Sequence, residues 1–142
     1  MEVSDVRRRL RGAIEDARRR AAERRARVDE AAKAYEQFRT NVAIPLFGVL
    51  AQALAAEGLR YKVETPADSI RLVPDRSGGD FIEVALDSER ETPALTIRSS
   101  RGRGRRTIRS ERTVYESRPI EQISDEDLVS VLLEELLPFL ER

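Results

Sequence analysis

Apolar side chains recur every three or four residues from about Glu2 to Val42, a spacing that predicts one long helix. No proline falls in that stretch and its only glycine is Gly12. At about 1.5 Å per residue the helix would be roughly 60 Å long. The remaining hundred or so residues would make a body only about 30 Å across. The helix must therefore protrude, fold back or find a partner.

Its apolar positions fit a heptad. With a at Ile14, Ala21, Val28, Tyr35 and Val42, and d at Leu10, Ala17, Arg24, Ala31 and Phe38, Arg24 alone breaks a narrow coiled-coil-like seam. Leu10, Ile14, Val28, Tyr35, Phe38 and Val42 are the candidate oligomer contacts along it. The flanking positions are basic: Arg11, Arg18, Arg25 and Arg39 at e, Arg20 and Arg27 at g. In a parallel homodimer Arg20 would face Arg25, with no flanking acid to compensate. Either the arm meets something acidic or the arginines are solvated. Pairs such as Glu15–Arg19 and Glu23–Arg27, four residues apart, favour solvation.

Asn41 and Pro45 interrupt the seam, so a kink or break is expected near residues 41–44. A second helix follows, with Leu46, Val49, Leu50, Ala53 and Leu54 on its apolar side, and Gly58 stops it. From Leu59 to Ser117 the period becomes two, as strands require. Leu59, Tyr61 and Val63 belong to one strand, Ile70 and Leu72 to the next, and Ile82, Val84 and Leu86 to a third. Leu95 and Ile97 lie in a fourth, and a fifth falls between Arg105 and Ser117. Short connections favour an antiparallel meander with one apolar face.

The last helix starts at Ser124-Asp125-Glu126-Asp127, with Ser124 as cap and acids in the first turn. It carries two apolar stripes, Leu128-Leu132-Leu136-Phe139 and Val129-Leu133-Leu137-Leu140. The sheet should cover one; the second helix or another subunit should cover the other. Pro138 should bend or end it near its last turn. The expected fold is α+β: a helical arm over residues 1–43, then a two-layer domain over residues 44–142 with about five strands and a closing helix.

Charge alters this picture through its distribution. Lysine plus arginine equals aspartate plus glutamate at 26 each, which rules out a global polycation. Residues 1–40 carry 12 bases against 8 acids, and residues 101–118 carry 7 against 2. Residues 119–142 carry 1 base against 7 acids. Such blocks predict attraction between parts of the protein or its copies. The basic peak is Ser99-Ser100-Arg101-Gly102-Arg103-Gly104-Arg105-Arg106, a hairpin tip by composition. Arg101, Arg103, Arg105 and Arg106 are the candidates for gripping phosphates or an acidic protein surface.

Catalytic chemistry has little to draw on. The chain has no cysteine and no histidine, so thiolate catalysis, disulfides and the usual zinc ligands are excluded. Ser77-Gly78-Gly79-Asp80 lacks the Lys-Ser/Thr that a phosphate loop needs. Asp80, Glu83 and Asp87 are strand acids with no lysine beside them. No catalytic, cofactor or metal residue is assigned. No signal-peptide pattern opens the chain, and the apolar run Val42–Ala56 is shorter than a membrane span, so the expectation is a cytoplasmic protein without a membrane partner.

The function expected is therefore a non-enzymatic interaction or oligomerisation module, working as a homo-oligomer, such as a homodimer, or with an acidic protein partner. The alternative is a nucleic-acid-binding protein that uses the Arg101–Arg106 turn and the arm's arginines.

Overall fold

Nothing between Val3 and Phe38 breaks a helix, and α1 spans that whole range, 36 residues. The computed structural model describes residues 1–76 and 78–141. The expected interruption takes the form of one π-helical turn, Arg39–Ala43, which leads straight into α2 (Ile44–Ala56). Pro45 has no N–H to give, and in a regular α-helix its ring would press on the carbonyl four residues back. A wider π turn accommodates it while the backbone stays right-handed, with Phe38 at φ −60° and Ile44 at φ −60°. The result is one continuous 54-residue helix from Val3 to Ala56.

That helix contains a stretch long and apolar enough to cross a membrane, because the ladder continues past Pro45. In this fold Ala43, Phe47, Leu50 and Leu54 from that stretch lie in the core. Gly58 then ends the helix at φ +81°, where a side chain would be strained. Its N–H bonds to the Ala55 carbonyl (3.0 Å) and that of Leu59 to the Leu54 carbonyl (2.9 Å), the Schellman pattern.

The period-two region forms β1 (Tyr61–Glu64), β2 (Ser69–Pro74), β3 (Phe81–Asp87), β4 (Ala94–Arg103) and β5 (Arg106–Val114). They pair antiparallel in sequence order, a simple meander. Register sets Ile70, Val84 and Ile97 side by side, and likewise Leu72 and Ile82, on the face that α2 and α3 (Asp125–Leu140) cover. These five side chains and Phe47 and Leu132 are at most 1% exposed. Tyr35 and Phe38, the last turn of the arm, belong to the same core.

The meander gives the body two distinct ends. At one lie the β1–β2 and β3–β4 turns and the β5–α3 connection, and α1 passes there. The Tyr35 hydroxyl donates to the Asp68 carbonyl (2.6 Å) and Arg39 to the Pro66 carbonyl (2.9 Å). At the other end lie the β4–β5 hairpin and a cleft shared by Gly58, Leu59, Phe139 and Leu140. Both α2 and α3 thus run from the arm end to the hairpin end.

At the start of α3, Ser124 Oγ accepts from the Asp127 N–H (3.1 Å) and the Ser124 N–H donates to the Asp127 carboxylate (3.0 Å). That backbone bond, with help from Ser124 Oγ and Arg118, holds the Asp127 carboxyl below its ordinary range. The helix runs past Pro138 to Leu140. Its first stripe is buried as expected, with Leu132 at 0% and Leu136 at 1% exposure. The second is not covered by α2: Leu133, Leu137 and Leu140 are 47%, 55% and 40% exposed.

Truncating Leu132 or Leu136 to Ala should lower stability by about 2–5 kcal/mol, because each leaves a cavity between α3 and the sheet. Urea denaturation of the two variants checks this, and unchanged midpoints would mean that α3 does not close the core.

Candidate functional site

The arginine hairpin folds as its glycines dictate. Arg103 pairs with Arg106, leaving Gly104 and Arg105 as a two-residue turn. Gly104 sits at φ +63° in the first turn position, as a type II′ hairpin needs. Pairing between β3 and β4 reaches only to Phe81–Ser100, so the hairpin beyond Ser100 is a two-stranded ribbon. The buried Asp80 carboxylate tethers it by accepting from the Gly102 N–H (2.9 Å).

Strand alternation turns Arg101, Arg103 and Arg106 to the helix side of the ribbon and leaves Arg105 at its tip. Arg101 and Arg103 line a cleft with Pro138 and Glu141, at the negatively polarised end of α3. One strand turn further in, Arg112 reaches Glu134 (2.9 Å) and Glu135 (3.4 Å) on α3, and Ser99 donates to Glu135 (2.8 Å). The basic hairpin and the acidic helix are thus packed together within one chain. Arg101, Arg103, Arg105, Arg106 and the neighbouring Arg109 form no ion pair among the described residues.

The seam divides in two. Tyr35 and Phe38, expected as oligomer contacts, are each 4% exposed inside the body's own core, and Val42 packs against that core. This corrects their assignment: the sheet end takes them, since they follow the helix into the body. Val28 is partly covered. Leu10 and Ile14 remain 56% and 40% exposed, and Val3 (74%) and Val6 (47%) extend the same stripe toward the start of the chain. In the heptad register Val3 falls at d and Val6 at g, with Arg7 at the a position between them and Leu10.

The uncovered face of the sheet holds a constellation that the linear sequence conceals. Arg71, Glu83 and Arg98 are brought side by side by register. Glu83 is only 4% exposed. It accepts from Arg71 Nε, from Arg98 (3.0 Å to Nε) and from Ser69 Oγ (3.2 Å). Both guanidiniums also lie over the Phe81 ring, 4.6 and 5.9 Å from its centre. The signal was present as parity: all of these residues occupy the polar phase of their strands.

Asp80 turns to the other side of β3, and Asp87 accepts from the Glu89 N–H (3.1 Å) at the far end. The three strand acids do not converge, and among the described residues no cluster of three carboxylates could hold a metal. Of Ser77-Gly78-Gly79-Asp80, Ser77 lies outside the described residues.

Burial alone would raise the Glu83 carboxyl's pKa, but the Arg71 and Arg98 bonds outweigh it and hold the group below its ordinary 4.5. A depressed carboxyl contributes stability above the unfolded pKa and loses it as pH falls through the folded one. Glu83→Gln should therefore cost about 1–3 kcal/mol at neutral pH. The gap to the parent should narrow below about pH 4.5, which denaturation across pH 3–7 measures.

No protein-family model, no curated protein and no solved structure matches this chain.

Proposed function

We propose that this chain is a non-enzymatic cytoplasmic assembly module, an α+β head whose helical arm joins it to a second copy of itself. The observation that carries this reading is the exposed stripe Val3, Val6, Leu10 and Ile14 on the part of α1 that lies away from the core. A contiguous apolar stripe on a protruding element marks a contact surface. A helix without tertiary contacts is also marginal in water, so a partner supplies what the body does not.

Light scattering at tens of micromolar should give a mass above that of one chain. Leu10→Glu with Ile14→Glu should return it to a monomer whose body unfolds at an unchanged temperature, because both positions are exposed and outside the core. A monomeric parent at that concentration would overturn the proposal.

The unpaired arginines support the second reading, a nucleic-acid contact at the hairpin. If Arg101, Arg103, Arg105 and Arg106 grip phosphates, affinity for DNA or RNA falls steeply with salt. Changing all four to Ser then flattens that slope by roughly one unit for each phosphate no longer held. The expected result is weak binding at physiological salt, since the net charge is zero and no aromatic side chain lies among these arginines. Tight binding that the fourfold variant abolishes would favour the nucleic-acid reading over assembly.

A further inference from the structure

The structure leaves two apolar helix stripes open: Val3-Val6-Leu10-Ile14 on the arm and Val129-Leu133-Leu137-Leu140 on α3, of which only Val129 is partly covered. We infer that each is the other's partner, so that the arm of one copy lies on α3 of a second copy and the exchange is reciprocal. This rests on the self-association proposed above and names the surface that receives the arm.

Spacing is the first argument. Along the arm the gaps are 3, 4 and 4 residues; along α3 they are 4, 4 and 3. Read in opposite directions the two stripes coincide. Val3 falls opposite Leu140, Val6 opposite Leu137, Leu10 opposite Leu133 and Ile14 opposite Val129. Both stripes advance eleven residues from first to last, about 16 Å of helix.

Charge is the second. Residues 3–14 of the arm carry four arginines against Asp5, whereas α3 carries five acids and no base. In the antiparallel alignment the flank of the arm bearing Arg7 and Arg11 lies along the flank of α3 that bears Glu134, an exposed acid also paired with Arg112, and continues to Glu141 just past the helix. An arm paired with another arm would set arginine against arginine. Opposed helix dipoles favour the same antiparallel choice.

Topology is the third. The arm leaves the body at the end where α3 begins. Two copies facing each other through their arm ends each send an arm along the partner's α3, from its start toward its finish, with the amino terminus leading. That direction is the antiparallel one which the spacing requires. The two contacts are related by a twofold axis, which closes the assembly as a dimer. Within one chain the contact is out of reach, because the continuous helix carries residues 3–14 away from its own α3.

The absence of cysteine makes the test direct. A full-length chain with Leu10→Cys is mixed with a mass-tagged full-length chain carrying Leu133→Cys, under mild oxidation. The expected product is the mixed disulfide, with little Leu10–Leu10 bridge. Leu133→Glu with Leu137→Glu should lower self-association as strongly as the arm variant does, with thermal unfolding of the monomer unchanged. Efficient Leu10–Leu10 bridging without the mixed species would overturn this inference while leaving arm-mediated assembly standing. A monomer by light scattering would overturn both.

Discussion

The joint between arm and body governs the rest of this molecule. One backbone ladder runs from Val3 to Ala56, and the π turn at Arg39–Ala43 lets it pass Pro45 without opening. A clean break there would have freed the arm to fold back onto the sheet. A regular α-helix would have carried the proline clash into the body. The π turn instead seats Tyr35 and Phe38 on one side of the joint and Phe47 and Leu50 on the other, all in one core. The Tyr35 hydroxyl locks the geometry: burial pushes its pKa above the ordinary value, so it stays protonated and donates to the Asp68 carbonyl. The arm is therefore a rigid extension of the core.

Charge segregation follows from the same architecture. The basic β5 and the acidic α3 are neighbours in the chain, and the fold lays one against the other through Arg112, Glu134 and Glu135. Half-exposed pairs of this kind contribute little stability individually, but they orient the helix on the sheet. They leave over, at one end, a ribbon of arginines without an ion pair among the described residues and, at the other, an arginine-flanked apolar stripe. On α3 the exposed acids are Asp125, Glu126 and Glu134. A net charge of zero thus conceals two surfaces of opposite sign.

The sheet's open face reads differently. Glu83 between Arg71, Arg98 and Ser69 has the burial and polar convergence that a catalytic carboxylate often shows. Here the partners are paired to the acid and stacked on Phe81, so the carboxylate's lone pairs are occupied and its proton affinity is lowered. That arrangement suits holding three strands in register better than moving a proton.

Period and punctuation along the chain were enough to determine the local elements. Gly58, Gly104 and Ser124 act through backbone geometry within a few residues, so helix ends, hairpin tip and cap were legible in the sequence. The alternation from Leu59 onward gave the strands and their apolar phase, and with short turns the meander. Register, packing and direction were decided only in three dimensions. A heptad seam looks the same whether its residues meet a partner or their own core, so Tyr35 and Phe38 could not be told from Leu10 and Ile14. Pro45 predicted an interruption, but whether a helix breaks or widens depends on what surrounds it. The gathering of Arg71 and Arg98 on Glu83 required strand pairing, since sequence separation hides cross-strand neighbours. Which stripe of α3 stays uncovered depended on where α2 settled, a matter of packing between helices whose side chains are equally apolar.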